Sequence, residues 1–364
     1  MHKGIVLYDF LLVRGGAERL TLTLLRDLPG VDLCFGFRDP QAFSETDIAG
    51  IHTIDLGAAT HLPVWRSLKV MRAFAHQTRF LDGYDWALFS GTNAPLAVHN
   101  HPVGPNYYYC HTLPRFVYDL KDYYLQRYPL ALHPALLALI AYVQPRYEQA
   151  IARMDTIIAN SENVRSRLRH YLGRDAVVIN PPCEVDYFQW AGQGGYYLST
   201  ARIEPFKRVD LLVEAFKQMP DQRLVITSGG SQFPALRRLA ADAPNITFTG
   251  WLDDAALRQL IGNAIATLYV AKDEDFGMSP VESMAAGKPV IGVAEGGLLE
   301  TVLDGETGLL LPPALTAEAI ADAVRTLNAP RALAMRDACE QRARRFSREI
   351  FLEKMRAILP LHAC

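Results

Sequence analysis

Short apolar runs alternate with stretches of helical period along nearly the whole chain. "GIVLYDF" (4–10) reads as a strand, and "AERLTLTLLRDL" (17–28) carries its apolar residues at helical spacing. Further strands are predicted at 31–37, 85–90, 107–111, 155–160 and 176–180. They are continuous apolar runs and do not alternate, the pattern of parallel strands covered on both faces. "PPCEVDYFQWAGQGG" (181–195) is bounded by Pro and Gly, has no period, and reads as a linker. A second alternation follows, with strands at 196–200, 223–230, 246–250, 264–270 and 289–293 and helices at 208–218 and 253–262 among them. Two successive series of strand–helix units predict an α/β chain of two Rossmann-like parallel-sheet domains facing each other across a cleft, with ligands at the carboxyl ends of the strands.

Composition narrows the class. A chain of 364 residues, half of them hydrophobic, suffices for two cores. A net charge of −2 argues against nucleic acid as a partner. The five cysteines, Cys34, Cys110, Cys183, Cys339 and Cys364, form no C-x-x-C pair. Their number is odd, which suits buried thiols in a reducing cytosol better than a disulfide framework or a zinc site. The chain's first residues read as a strand and not as a secretory signal. The longest apolar run, 130–143, is 14 residues long and interrupted by His133–Pro134. It is too short to span a bilayer and is expected to be a buried helix.

The densest chemistry is in "EDFGMSPVESMAAGKPVIG" (274–292), where Glu274 and Glu282 flank Phe276-Gly277-Met278. One reading makes Ser279 the N-cap, Pro280 the first residue and Glu282 the third of a helix, a capping box. The other reading turns both carboxylates toward a sugar nucleotide, with the helix start holding a diphosphate. The acidic triplet Asp273-Glu274-Asp275 is a weaker candidate for a divalent ion. "STARIEPFKRVDLLVEAF" (199–216) places Arg202 and Lys207 on one loop after the first strand of the second series. They are either ordinary surface cations or a pair that neutralises a departing diphosphate. In the first series, Gly15-Gly16 stand between strand and helix without completing a dinucleotide fingerprint, and His111 ends a strand.

"GGAER", "CHTLPRFVYD", "IIANSENVRSRL" with "VINPPCEVDYF", "ARIEPFKRVDLLVEAF", "FTGWL" and "EDFGMSPVESMAAGKPVIG" with "EGGLLETV" follow one another along the chain. In that order they resemble the large family of retaining glycosyltransferases of the two-domain GT-B fold, over essentially the whole length. The "CHT" and "EDFG" wording is similar to bacterial mannosyltransferases of O-antigen and exopolysaccharide assembly. The resemblance implies a hexosyltransferase without cofactor or metal, with mannose from GDP-mannose as donor and a glycan, polyprenyl-linked, as acceptor. It implies that Arg202 and Lys207 bind the donor diphosphate, that Glu274 contacts sugar hydroxyls and Glu282 the ribose, and that Phe276, Gly277 and Met278 present backbone. Gly15 and Gly16 would lie at the phosphates, His111 near the sugar, and Gly250, Trp251 and Leu252 at the nucleobase. The catalytic set is then Glu274, His111, Arg202 and Lys207. The chain departs from the family at "TSGG" (227–230), where G-x-G-P is common, and at Asn180, where a Tyr often precedes the prolines. Domains are expected at 1–183 (acceptor side) and 184–346 (donor side), with a final helix, 347–364, packing back on the first.

Residues 61–80, "HLPVWRSLKVMRAFAHQTRF", carry Arg66, Lys69, Arg72, His76 and Arg79 on one helical face and Leu68, Val70, Met71, Phe74 and Ala75 opposite. They read as a helix for an anionic membrane surface, or as a solvated helix on the core. The expected location is cytoplasmic, peripheral on the inner face of the membrane. A donor-binding protein without turnover, a transferase using a UDP-sugar and a nicotinamide-dependent oxidoreductase are the competing functions.

Overall fold

A computed structural model describes residues 3–60 and 63–360. His61, Leu62 and Cys364 lie outside the described residues. The chain forms two compact units, residues 1–181 with 351–364, and residues 182–350.

The first unit is built on β1 (Gly4–Tyr8), β2 (Asp32–Phe35), β3 (Thr53–Asp55), β4 (Trp86–Ser90), β5 (Asn106–Cys110), β6 (Thr156–Ala159) and β7 (Val177–Val178). All pair in parallel, in the order β3-β2-β1-β4-β5-β6-β7. Its helices are α1 (Gly16–Asp27), α2 (Pro63–His76), α3 (Lys121–Arg127), α4 (His133–Ala152) and α5 (Glu162–Leu172). The second unit carries β8 (Tyr197–Ser199), β9 (Leu224–Thr227), β10 (Ile246–Gly250), β11 (Thr267–Tyr269), β12 (Val290–Val293) and β13 (Gly308–Leu311), again parallel, in the order β10-β9-β8-β11-β12-β13. Its helices are α6 (Val209–Lys217), α7 (Phe233–Leu239), α8 (Asp254–Asn263), α9 (Met278–Ala285), α10 (Leu298–Thr301), α11 (Ala317–Thr326), α12 (Ala329–Ala334) and α13 (Arg336–Arg344). Helix α14 (Arg348–Ile358) starts in this unit. Its Phe351, Leu352 and Met355 join the core of the first unit, and Arg356 pairs with Asp27 there.

Both sheets change direction at their centre, between β1 and β4 and between β8 and β11. Crossovers leave to opposite sides at such a point, so the loops after those strands diverge and leave a crevice at their carboxyl ends. In the first unit the crevice is fixed by Asp9, just past β1. Its buried carboxylate accepts from the backbone N–H groups of Thr92, Asn93 and Ala94 at 2.8 Å each, and from the Thr92 hydroxyl and the Asn93 amide. A buried carboxylate is tolerated only with such a set of donors.

The boundary between the units falls between Pro181 and Pro182, inside the expected linker 181–195. The later part of that stretch is tied to the second unit: Ala191 and Gly194 donate to the carbonyls of Gly262 and Asn263, and Trp190 lies beneath Lys288 and Arg336. The run 130–143 is not a buried helix. In that run only Ile140 and Val143 are buried, while Leu130, Leu132, Leu137 and Tyr142 are exposed. Pro134 does not break the helix but sits in its first turn, where no N–H is needed. Helix α2 spends its apolar face on the core through Val70, Met71, Ala73 and Phe74. Of its cations, Arg66 and Lys69 donate to the carbonyls of Thr60 and Ala59. Most of that helix's apolar face is covered, while Trp65 at its start stays 64% exposed.

Cys34, Cys110, Cys183 and Cys339 are buried free thiols. Among the described residues no helix is long and apolar enough to cross a membrane. Asp9→Ala leaves several buried donors without an acceptor, and is expected to cost at least about 3 kcal/mol in urea unfolding.

Candidate active site

The second unit gathers its polar side chains where its sheet changes direction. The loop after β8 holds residues 200–208, and the loop after β11 holds residues 270–277. Two hydrogen bonds bind them together: Lys272 N–H to the Phe206 carbonyl (2.7 Å) and Arg208 Nε to the Val270 carbonyl (2.7 Å). Arg208 also pairs with Glu295, just past β12, so one guanidinium ties three loops.

Lys207 Nζ lies 2.5 Å from Glu274 Oε2 and 2.9 Å from the Tyr269 hydroxyl, and its side chain is 18% exposed. Burial works against the ammonium, but the facing Tyr269 and Glu274 outweigh it and raise its pKa above the usual lysine value. Lys207 is therefore charged at neutral pH. Arg202, on the same loop, is exposed, and its guanidinium makes no hydrogen bond or ion pair. The loop thus carries two cations that are held, Lys207 and Arg208, and one, Arg202, that is free.

The backbone is strained in the same place. The only described residues other than glycine with positive φ are Arg208 (50°), Ser228 (71°) and Asp273 (46°). They follow β8, β9 and β11, so left-handed backbone outside glycine is confined to the loops at the carboxyl edge of one sheet. Such strain persists where surrounding structure fixes it, and it clusters at ligand sites.

Glu274 and Glu282 are both partly exposed. The capping box expected around Glu282 is absent. Gly277, at φ 93°, is the N-cap of α9, and no side chain caps the helix. Gly277 takes the left-handed backbone cheaply, so the helix begins two residues earlier than a Ser279 cap would allow. Glu282 falls on its fifth residue, too far in to reach back to the cap. The loop 274–277 lies flat on Gly296-Gly297, where Gly297 N–H donates to the Glu274 carbonyl at 2.7 Å. A Cβ at either glycine would collide with backbone of Asp273, Glu274 or Phe276. Phe276 is buried against Phe346, which anchors the loop.

Gly250 ends β10, and Trp251 beyond it is 68% exposed with its indole against Gly229. A large ring left in solvent at the carboxyl edge is suited to stacking. No three His, Cys, Asp or Glu side chains among the described residues group so as to hold a metal ion. A cavity of about 300 Å³ opens elsewhere in this unit, at the C-terminal end of α9. It is lined by Trp190 and Arg336, and this arginine is already paired with Glu340.

In the first unit, His111 follows β5 beside the change of direction. Its Nε2 shares a 2.8 Å hydrogen bond with Ser90 Oγ at the end of β4, and its carbonyl accepts from Asn160 Nδ2. The rings of Tyr109 and Tyr8 enclose it. Burial lowers its pKa from 6.5 to about 4, so it is neutral at pH 7. Gly15 is the N-cap of α1 and Gly16 its first residue, and no side chain caps that helix either.

The structure therefore brings Lys207 and Glu274 into contact and sets Arg202 on the same loop as Lys207. Phe276, Gly277, Met278 and Glu282 continue from Glu274 into α9, and Gly250 ends β10 with Trp251 and Leu252 following it at the same edge. His111, Gly15 and Gly16 belong to the other unit. Sequence reasoning missed Tyr269, Arg208, Glu295 and Ser90. Tyr269 sits in an apolar strand, and nothing in its neighbours distinguishes it from core; the glycines after Glu295 were the available signal for a close backbone approach.

Neutral His111 has a measurable consequence. The unfolded chain takes up its proton near pH 6.5 and the folded chain only near 4, so stability falls as pH drops through that window. His111→Asn is expected to flatten that part of a stability–pH profile from denaturant titrations; an unchanged slope refutes the buried neutral imidazole.

Residues 188–346 match the family model described as Glycosyl transferases group 1. A D-inositol 3-phosphate glycosyltransferase of Mycobacteroides abscessus is 30% identical over 203 residues, 50% of this chain and 46% of that protein. The Alpha-1,3/1,6-mannosyltransferase ALG2 of Rhizomucor pusillus is 46% identical over 88 residues, 23% of this chain and 19% of that protein. The chain thus spans about half or less of these relatives. Among solved structures, HepE of Anabaena in complex with UDP and glucose superposes over 100% of both chains with a TM-score of 0.75 at 17% identity. A sucrose-phosphate synthase from Thermosynechococcus elongatus does so over 98% of both, at 0.78 and 19%. At such identities these two show the fold, GT-B. The match over the second unit makes residues 188–346 similar to the group 1 glycosyl transferases.

Proposed function

We propose that the protein is a retaining hexosyltransferase that moves mannose from GDP-mannose to a glycan acceptor carried on a polyprenyl diphosphate, without a metal ion. The observation that carries this reading is the charged Lys207 held against Glu274 on strained loops, with Arg202 unpaired on the same loop as Lys207. A nucleoside diphosphate needs cations where its charge grows on departure, and a hexose needs a fixed acceptor for its hydroxyls. The identity shared with a mannosyltransferase over 88 residues favours mannose among the hexoses.

In this reading Lys207 swings from Glu274 to the diphosphate, and Glu274 is released to accept hydroxyl protons of the sugar. Arg202 and the open first turn of α9 complete the positive field. Gly277 and Met278 offer backbone to the donor, Glu282 takes the ribose, and Trp251 stacks on the base. Within the first unit, neutral His111 offers a hydrogen bond and not a charge. The bond from the anomeric carbon to phosphate oxygen breaks, and a bond to the acceptor oxygen forms on the same face. The acceptor proton passes to the leaving phosphate. No side chain need form a covalent intermediate, and the rate comes from placement and from stabilising the leaving group.

Arg202→Ala and Lys207→Ala are each expected to lower turnover by about 100-fold or more, the scale of losing one transition-state donor. Near wild-type rates in a transfer assay with GDP-mannose exclude the role. Among GDP, UDP, ADP and dTDP, GDP is expected to raise the melting temperature most, because a ligand that binds only the folded state stabilises it. A larger rise with UDP replaces the guanine donor with a uracil one.

A further inference from the structure

Helix α9 begins at Gly277, in the loop that carries Glu274, and its eight residues put its far end about 12 Å away. At that far end the second unit has a cavity of about 300 Å³, at the lower end of the range for small-molecule pockets. Phe188 and Trp190 give it an apolar wall, and Arg336, Glu340 and Arg344 line it from one face of α13 at a spacing of four residues. Three contacts place Arg336. Gly287, at φ 67°, leaves it room: a Cβ there would lie 2.7 Å from Arg336 Cγ and 3.0 Å from Glu340 Oε1. Glu340 accepts from Arg336 Nε at 2.8 Å, and the guanidinium carbon lies 4.6 Å from the Trp190 ring centroid. The N–H groups on the terminal nitrogens of Arg336 find no acceptor among the described residues, and neither does the Arg344 guanidinium.

The same place holds a buried charge without a counter-ion. Lys288, just past the end of α9, is 1% exposed. Its Nζ donates to the Gly192 carbonyl at 2.5 Å and lies 5.1 Å from the centroid of the same Trp190 ring. Among the described residues no carboxylate pairs with it. The charge that acts on it is another cation: burial, and after it Arg336, lower its pKa to about 8. Lys288 is therefore still mostly an ammonium at neutral pH. A buried charge is tolerated where something of opposite sign compensates it. Here Lys288, Arg336 and Arg344 stand against Glu340, which is spent on Arg336, and Asp186, which is exposed at the rim. One positive charge is left over, in a chain whose net charge is −2.

We propose that this cavity binds a small organic anion, a carboxylate or phosphate group carried on a flat apolar body. The open edges of the Arg336 and Arg344 guanidinium groups hold the oxyanion, because paired N–H donors match two oxygens of either group. The apolar body lies against Phe188 and Trp190. The ligand's charge offsets Lys288, which borders the same indole ring. An amine or a metal cation is disfavoured by the same surplus of positive charge. The site lies wholly in the second unit, at the opposite end of α9 from Glu274, and stands or falls independently of the donor reading.

The test follows the indole N–H signals of the isotope-labelled full chain by NMR. The chain has four tryptophans, Trp65, Trp86, Trp190 and Trp251, and the variants Trp190→Phe and Trp251→Phe identify the two signals that matter. Benzoate and phenyl phosphate are titrated separately at low salt and neutral pH, with benzamide as their uncharged counterpart. At least one anion is expected to shift the Trp190 signal to saturation, and the tighter of the two names the group. Benzamide is expected to bind about tenfold more weakly or worse, and Arg344→Glu to weaken the anion by about tenfold or more, the scale of one charge-assisted hydrogen bond. Arg344 is exposed, and an unchanged melting temperature shows that the variant folds. A Trp190 signal that neither anion moves overturns the proposal, and so does a shift confined to Trp251, which places the anions at the donor edge. Equal binding of benzamide, or an affinity unchanged in Arg344→Glu, overturns it as well.

Discussion

The second unit's chemistry depends on one constraint: a largely buried lysine has to remain charged. Desolvation alone would drive Lys207 toward the neutral amine, and only the facing Glu274 and Tyr269 reverse this. The contact can exist because β8 and β11 are neighbours although they are far apart in sequence, so the loops after them meet. The bonds from Lys272 to Phe206 and from Arg208 to Val270 then set the spacing of those loops. A glutamate carboxylate next to a lysine is a weak contributor to stability, since desolvation offsets much of the attraction. Its value lies in holding two opposite charges ready for a ligand that separates them.

The two units solve the same problem with different materials. Each places its polar groups where the direction of strand order changes. In the second unit the groups are ionic, and strained backbone aims them. In the first they are a neutral imidazole and the Ser90 hydroxyl bonded to it, held by Asn160 and the ring of Tyr109, behind an aspartate whose carboxylate is occupied by backbone and side-chain donors. Neutral groups of this kind can orient an uncharged substrate without repelling or trapping an ion.

The parallel α/β architecture was readable because central strands are apolar on both faces and therefore stand out as runs. Edge strands lack that signature: β3 is partly exposed and only three residues long, and β13 is half-covered. The pairing of Lys207 with Glu274 was foreshadowed by residue type, yet its third member, Tyr269, belongs to a strand whose composition gives no hint of a polar role. The false capping box around Glu282 had the right letters, but an adjacent glycine offered a cheaper place to start the helix. The misread run at 130–143 shows a limit of hydropathy: it measures how apolar a segment is and not which of its faces has a neighbour. A helix apolar on both sides gives the same trace as one enclosed by protein.

The left-handed residues Arg208, Ser228 and Asp273 also bear on how such a chain tolerates change. Each would be relaxed by glycine, which adopts that conformation without a Cβ penalty. At Arg208 and Ser228 that relief competes with side-chain bonds that glycine would delete, to Val270 and Glu295 and to Ala201, and glycine there would loosen the loops that aim the cations. That ancestry-independent tension makes the carboxyl rim of the second sheet the region where a hardier protein and a more competent one diverge.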